Sequence, residues 1–184
     1  MERRRTCREF RQIDRGELLQ LLGYTLWWSA RVQQSLPPEG GAPRSLRPAP
    51  SAGAVHPVHI VVQLPQESAG YRYDPARHAL AQLPGAAAVT RARCAAEQIY
   101  PAADAALLLF IAEPGLTAAR YEAPESLVWR DAGALQGVMA VAAAAAGAGF
   151  SLLGLTGDAF AESLIRQRDV HGVGMAYLGA AALR

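Results

Sequence analysis

The stretch from Gly137 to Leu155 carries no charged residue, which restricts the fold more than any other feature of the sequence. A segment of this length can cross a bilayer. Its composition, however, is mostly alanine and glycine rather than the leucine, isoleucine and phenylalanine typical of membrane spans. We therefore predict a helix buried inside a folded protein that has no membrane segment.

Hydrophobic periodicity and turn residues divide the whole sequence into helices and strands. Asp14 and Glu17 form a capping-box pattern at the start of the first helix. The predicted elements are, in chain order, a helix over 15–34, a proline-rich loop over 36–51, a strand over 55–64, a hairpin of 71–73 with 78–80, a helix over 86–99, a strand over 105–112, a helix over 130–147, a Gly/Leu loop, a helix over 159–168 and a strand over 174–183. This order predicts a single α+β domain over residues 1–184, with helices packed on a mostly antiparallel sheet.

All 18 basic residues are arginine, because the sequence contains no lysine. This composition excludes a Schiff base with pyridoxal phosphate, the lysine of a phosphate-binding P-loop and a lysine general base. A bound anion must be held by guanidinium groups or backbone amides. The formal net charge of +2 is too small to indicate a nucleic-acid-binding protein.

The two cysteines, Cys7 and Cys94, form neither a disulfide framework nor a zinc-ligand spacing. The charged N-terminus is not followed by the hydrophobic segment of a secretory signal. We therefore expect a cytoplasmic protein.

Other residues that could bind a metal have the wrong spacing. In a strand, a separation of three residues places His56 and His59 on opposite faces, so we expect no shared metal. Asp104, Glu125 and Asp131 do not have the spacing of a carboxylate pair, and we interpret them as solvated or helix-capping residues.

Three guanidinium groups and a hydroxyl group lie within five residues near the N-terminus: Arg4, Arg5, Thr6 and Arg8. Two or three arginines can neutralise a phosphate monoester through charge-assisted hydrogen bonds of roughly 1.5 to 3 kcal/mol each. A solvated basic tail explains the same pattern. The pattern alone leaves both interpretations open.

A second candidate segment runs from Arg47 to Pro57, where the predicted loop meets the predicted strand. Small residues allow the backbone to approach a flat ligand closely, and Ser51 can donate or accept a hydrogen bond. Gly53 permits backbone dihedrals that other residues disfavour. An ordinary turn into a strand is the alternative interpretation.

Taken together, these segments resemble the nitroreductase family. The N-terminal run is similar to the family's opening motif Arg-Ser-x-Arg-x-Phe, and Pro50–Ala54 resembles its flavin-contacting Pro-Ser segment. Residues 129–136 resemble the start of the family's long core helix, and residues 147–154 resemble the loop after it. The sequence of residues 47–57 is most similar to that of the SagB-type azoline dehydrogenases of thiazole and oxazole biosynthesis.

The resemblance implies a three-layer nitroreductase-like fold and a homodimer whose seam is the alanine-rich helix. It also implies one FMN at each of two subunit interfaces. Arg4, Arg5, Thr6 and Arg8 would then meet the phosphate and ribityl end of the flavin. Pro50, Ser51, Ala52 and Gly53 would approach the isoalloxazine ring from the partner subunit, and Gly154 and Leu155 would present backbone near the ring.

The sequence departs from the family pattern at three positions. Ala54 stands where many nitroreductases have a flavin-contacting asparagine, and Arg184 stands near the place of a C-terminal basic phosphate contact. Azoline oxidases of this branch carry a Lys-Tyr pair where this chain has Arg120-Tyr121. Because arginine is practically never deprotonated, Tyr121 is the candidate catalytic residue.

The hypothesis favoured by the resemblance is oxidation of an azoline, carried by a small molecule or a peptide, to an azole by hydride exchange at flavin N5. One alternative is a nitro or quinone reductase that takes electrons from NAD(P)H. A second is a flavin-binding module without turnover, and a third is a nucleic-acid binder that uses the arginine run.

Overall fold

The computed structural model describes residues 5–84, 86–166 and 169–182. Arg4 and Arg184 lie outside the described residues. The strands of this part are β1 (Phe10–Arg11), β2 (Gln34–Glu39), β3 (Ala42–Leu46), β4 (Val58–Gln63), β5 (Tyr71–Asp74), β6 (Ala79–Gln82), β7 (Ala106–Ala112), β8 (Ala148–Leu152) and β9 (His171–Ala181). The helices are α1 (Arg15–Trp27), α2 (Ala86–Glu97), α3 (Pro114–Ala118), α4 (Glu125–Ala145) and α5 (Asp158–Ile165), with a 3₁₀ turn at Ala52–Ala54.

The main sheet is antiparallel at every described pairing, in the order β1-β9-β7-β4-β5-β6, with β8 also paired to β9. The central strand β7 is apolar along its whole length because helices cover both faces of the sheet. Leu108 and Phe110 point to one face, and Leu107, Leu109 and Ile111 point to the other. The alternation follows from the two-residue period of a strand.

Helices form a layer on each side of this sheet. On one side α1 and α4 pack on the sheet through a cluster that includes Leu18, Leu22, Leu26, Leu135, Met139 and Ala143. On the other side α2 and α5 do so through a cluster that includes Val89, Ala92, Ala96, Ala161 and Leu164. The predicted α+β three-layer fold with a mostly antiparallel sheet is therefore confirmed.

The uncharged stretch begins in α4 and continues into β8. Leu135, Met139, Ala142 and Ala143 of α4 are buried, as the buried-helix prediction requires. Among the described residues, no helix combines the length and the hydropathy needed to cross a membrane.

The predicted first helix, over residues 15–34, is too long. Helix α1 begins at Arg15 as predicted, and its cap is confirmed because the Asp14 carboxylate accepts a hydrogen bond from the Glu17 amide (2.9 Å). It ends at Trp27, although Ser29 beyond it is fully buried. The helical spacing of buried residues continues past the end of the helix because the turn after it is buried as well. In that turn the Ser29 hydroxyl donates to the Thr25 carbonyl (2.6 Å).

Two segments predicted as loops contain strands. Strands β2 and β3, which lie mostly within residues 36–51, form a separate two-stranded sheet, and Gly40 and Gly41 make its turn with φ angles of 63° and 80°. The prolines are tolerated because this small sheet has edges only. The predicted Gly/Leu loop begins with β8, where Gly149 is required for close packing: a Cβ there would lie 2.5 Å from the Cys7 sulfur.

Candidate functional site

The N-terminal arginine segment runs alongside β8. Thr6 forms a parallel bridge with Phe150, and the Cys7 amide donates to the Phe150 carbonyl (3.2 Å). Arg5, Thr6 and Arg8 are exposed, and in the described part of the chain neither arginine is in an ion pair. The two guanidinium groups are therefore exposed to solvent, and no carboxylate of the described residues neutralises them.

Strand β8 leads directly into the two backbone positions predicted near the flavin ring. The Leu153 amide donates to the Met175 carbonyl (2.9 Å), which holds the exit of β8 on β9. Gly154 is exposed, whereas Leu155 is half-buried against the core. Gly154 and Leu155 thus follow directly after β8, the strand beside which the segment with Arg5, Thr6 and Arg8 runs.

The Pro-Ser segment is held by Asp131 on α4. The Asp131 carboxylate accepts hydrogen bonds from the Ser51 hydroxyl (2.5 Å) and from the Ala52 amide (3.0 Å). The Ser51 hydroxyl oxygen in turn accepts from the His56 amide (2.8 Å). Asp131 is only 8% exposed, so our interpretation of it as a solvated or capping residue is wrong.

The spacing on α4 contained the signal that we missed. Asp131 follows Val128 by three residues and precedes Leu135 by four, so it occupies the buried face of the helix. A carboxylate on a buried face needs hydrogen-bond donors, because burial without them is costly. Here the donors come from residues about eighty positions earlier in the chain, and single-sequence spacing does not identify them.

Tyr121, the candidate catalytic residue, lies at the same segment. A Cβ added at Gly53 would lie 2.9 Å from the Tyr121 hydroxyl oxygen and 3.1 Å from the guanidinium carbon of Arg120. Gly53 also has a left-handed φ of 61°, so glycine serves both backbone conformation and close approach here. The structure therefore brings Tyr121 and Pro50–Gly53 together.

Arg120 and Arg44 fix this arrangement. Both guanidinium groups donate to the Gly53 carbonyl, at 3.3 and 3.1 Å, and both form ion pairs with Glu39 on β2. The hairpin of β2 and β3, which we had predicted as loop, supplies two of these three charged side chains. Its role is to clamp the Pro-Ser segment against the Arg120-Tyr121 pair.

His56 and His59 line one cavity of about 400 Å³ together with Ser51 and Asp131. His56 precedes β4 and has a left-handed φ of 53°, so the opposite-face argument, which assumed a strand, does not apply to it. His56 Nε2 donates to the Ser45 carbonyl (2.9 Å), and His59 Nε2 bonds to Glu113 (3.0 Å). No cluster of three or more potential metal ligands occurs within the described ranges.

Protonation of His56 should destabilise the fold below neutral pH. Burial and the nearby Arg47 charge lower the pKa of His56 from its ordinary value of 6.5 to about 4. Above pH 6.5 the histidine is neutral in both folded and unfolded chains, and its contribution is complete. Between pH 6.5 and 4 the unfolded chain takes up the proton first, which removes up to about 3 kcal/mol of stability.

Urea unfolding at pH 7 and pH 4 measures this loss. In His56→Gln the decrease in free energy of unfolding between the two pH values should be smaller than in the wild type by about that amount, roughly 3 kcal/mol. The comparison within each protein cancels the general cost of the substitution, and the other histidines titrate in both. An equal decrease in both proteins would contradict the assignment to His56.

Comparison with known proteins identifies the class of protein. The family model described as "Nitroreductase family" matches residues 1–173. The chain belongs to the nitroreductase family. This membership confirms the predicted enzyme class, an oxidoreductase, and the predicted cofactor, FMN. Members are generally homodimers that use NAD(P)H.

Solved nitroreductase structures have the same fold. A Ralstonia eutropha JMP134 protein classed with the nitroreductases is 28% identical, with a TM-score of 0.75 over 98% of this chain and 80% of its own. The Escherichia coli microcin synthetase McbBCD complex, solved with truncated pro-MccB17 bound, matches at 15% identity and a TM-score of 0.71, over 98% of this chain and 70% of its own.

An FMN-dependent nitroreductase of Clostridium difficile R20291 is 10% identical, with a TM-score of 0.55 over 100% of this chain and 86% of its own. At 15% and 10% identity, the microcin synthetase and Clostridium structures support the fold alone. A search of curated proteins gives no significant match.

Proposed function

We propose that this nitroreductase oxidises an azoline, carried by a small molecule or a peptide, to an azole. The observation that carries the proposal is the position of Tyr121, whose hydroxyl oxygen lies against Gly53 of the Pro-Ser segment. The resemblance to azoline dehydrogenases rested on residues 47–57, and Tyr121 is the half of that branch's Lys-Tyr pair that this chain keeps. The close approach of Tyr121 to Gly53 supports a shared role for the two.

The described donors fit the phosphate end of FMN. Arg5 and Arg8 are exposed and have no ion-pair partner among residues 5–84, 86–166 and 169–182, and Thr6 lies between them in the sequence. A phosphate with nearly two negative charges would neutralise both guanidinium groups. In this proposal Arg5, Thr6 and Arg8 hold the phosphate and ribityl end, together with Arg4, which the structure does not describe.

The ring would be held by backbone. The hydrogen bonds from Ser51 and Ala52 to Asp131 fix the segment that contains Pro50 and Gly53. Gly154 is exposed at the exit of β8, where its amide can donate to a ring edge. In the proposed homodimer, the Pro-Ser segment of one subunit and the β8 segment of the other would contact the same ring.

The exposed face of α4 supports a homodimer seam along this helix. Trp129, Gly133, Gly137 and Val141 recur every four residues and are exposed. A Cβ added at either glycine would meet no atom of the described chain within 4 Å. Small residues flanked by exposed apolar side chains allow a second helix to approach closely.

In the proposed reaction, the chain's own residues orient the substrate and move one proton. When bound, FMN supplies the two-electron hydride acceptor. Tyr121, as its phenolate, would accept the proton that leaves the α-carbon of the azoline, since its hydroxyl oxygen lies against Gly53 of the Pro-Ser segment. Arg120 positions Tyr121 and the Gly53 carbonyl and takes no proton itself.

One observation favours a second candidate function, reduction of a nitro compound or quinone by NAD(P)H. Arg120 occupies the place of the lysine in azoline oxidases, and its guanidinium group is engaged by Glu39 (2.9 Å) and the Gly53 carbonyl (3.3 Å). A residue held in this way clamps backbone and supplies no base. A reductase would need no base for reduction of its flavin, because the nicotinamide delivers hydride directly.

Anaerobic mixing of the purified protein with electron donors separates the two functions. Rapid loss of the flavin absorbance with a thiazoline peptide, and none with NADPH, is the result that we expect. Bleaching by NADPH alone would select the reductase. A yellow protein that neither compound bleaches would be the flavin-binding module without turnover, and a colourless protein that cannot be reconstituted with FMN would contradict all three.

Tyr121→Phe should slow reduction of the flavin by the thiazoline peptide by a factor of roughly 10² to 10⁴, the usual contribution of a general acid or base. FMN content should be unchanged, because the phenyl ring still fills its place beside Gly53. Stopped-flow absorbance measures the rate of flavin reduction. Tyr24→Phe, on the exposed face of α1, is the matched control, and equal rates in the two variants would remove Tyr121 from the reaction.

A further inference from the structure

The cavity behind the Pro-Ser segment has apolar walls and contains an arginine that pairs with no described carboxylate. Its volume is about 400 Å³. Apolar side chains make up much of its lining, among them Ala30, Val55, Val58, Ile60, Leu116 and Leu135. Arg47, the first residue of the segment 47–57, also lines it. Neither the clamp on Gly53 nor the flavin proposal gives Arg47 a role.

The Arg47 guanidinium group is half-buried and only partly satisfied. Its Nε donates to the Ser45 hydroxyl (3.0 Å). Its two terminal nitrogens have no hydrogen-bond partner within the described chain, and no described carboxylate lies within ion-pair distance of it. A buried charge is normally paired, because transferring a charged group out of water without a partner costs free energy. Burial lowers the pKa of Arg47 to about 10, so it stays charged at neutral pH.

The carboxylates that line the cavity are already engaged elsewhere. Asp131 accepts from Ser51 and Ala52. Asp74 accepts from the amides of Ala76 and Arg77 and pairs with the Arg77 guanidinium. Of the other charged or titratable groups lining the cavity, Arg72 is a second cation, and its Nη2 donates to His59 Nδ1 (2.9 Å). The lining thus carries two arginines and two carboxylates, and neither carboxylate is within ion-pair distance of Arg47.

We propose that this cavity binds a small monocarboxylate with an apolar body, whose carboxylate is held by the two terminal nitrogens of Arg47. A guanidinium fork matches the two oxygens of a carboxylate. The apolar walls suit a hydrocarbon body. The ligand would lie next to Ser51 and Asp131, but its binding requires only residues of this chain and stands independently of the proposed flavin reaction.

Isothermal titration of the protein as isolated, with hexanoate and with hexanamide, tests this site. Hexanoate should bind at least roughly tenfold more tightly than its uncharged amide, since a charge-assisted hydrogen bond is lost with the carboxylate. Arg47→Gln should abolish that preference, and Arg47→Lys, which keeps the charge without the fork, should keep part of it. Arg91→Gln removes an exposed arginine of α2 that does not line the cavity, and it should behave as wild type.

Equal affinity for the acid and the amide in the wild type would overturn the proposal, as would undiminished hexanoate binding in Arg47→Gln. Should Arg47→Gln fail to fold, the acid-to-amide ratio of the wild type and the Arg47→Lys comparison still decide. A change in the flavin visible spectrum on adding hexanoate, equal in wild type and Arg47→Gln, would place the acid at the flavin instead. A colourless protein leaves the titration valid, so this proposal and the flavin proposal fail separately.

Discussion

Asp131→Ala is expected to lower the free energy of unfolding by about 3 kcal/mol and to release most of the bound FMN. The wild-type carboxylate, 8% exposed, accepts two hydrogen bonds from Ser51 and Ala52. Hydrogen bonds to a charged group contribute roughly 1.5 to 3 kcal/mol each, offset in part by the cost of burying the charge. Alanine also leaves the half-buried Ala52 amide without its acceptor.

Loss of FMN should follow because Asp131 fixes the segment that we propose to contact the ring. Urea denaturation with FMN removed measures the stability, and fluorescence titration of the apoprotein measures the affinity for FMN. Glu122→Ala removes an exposed carboxylate just before α4 and should change neither. Unchanged FMN affinity in a destabilised Asp131→Ala would separate this segment from the flavin.

A double-mutant cycle tests whether Ser51 and Asp131 act as a pair. Ser51→Ala alone should cost less than Asp131→Ala, because the carboxylate keeps the Ala52 amide as donor. The stability lost in the Ser51→Ala/Asp131→Ala protein should be smaller than the sum of the losses in the two single variants by about 1 kcal/mol or more. Additive losses would mean that the hydroxyl and the carboxylate contribute independently.

The sheet and its helices could be predicted because their sequences satisfy local rules. The central strand was predicted to begin at Ala105 and begins at Ala106, since an apolar run of that length with helices on either side has few alternatives. The cap at Asp14 placed the start of α1 correctly. These features depend on residues close to one another in the chain.

What could not be predicted depends on contacts between distant residues. β8 appeared to be a loop because glycines usually mark turns, whereas Gly149 is small so that Cys7 can pack against it. The β2–β3 hairpin was predicted as a loop because of its prolines. The role of Asp131 was missed because its hydrogen-bond donors come from a distant part of the chain. The arginine cluster and the segment 47–57 stood out by their own residues, but only the resemblance assigned them to one site.

The largest effect on cofactor binding is expected from Arg5→Gln/Arg8→Gln. If each guanidinium contributes one charge-assisted bond to the phosphate, the double variant should bind FMN roughly 100-fold more weakly. Its affinity for riboflavin, which has no phosphate, should be unchanged. Both arginines are exposed, and neither pairs with a described carboxylate, so the fold should not depend on them.

Arg11→Gln/Arg91→Gln provides the matched control, because it removes the same charge from two exposed positions, on β1 and α2. It should reduce FMN affinity only through the general electrostatic field, which salt screens. Parallel loss of FMN and riboflavin binding in the Arg5/Arg8 variant would indicate a structural role for the segment beside β8. Unchanged FMN affinity would instead mean that these two arginines belong to the solvated basic tail that the sequence left open, and that other arginines or backbone amides hold the phosphate, because the chain contains no lysine.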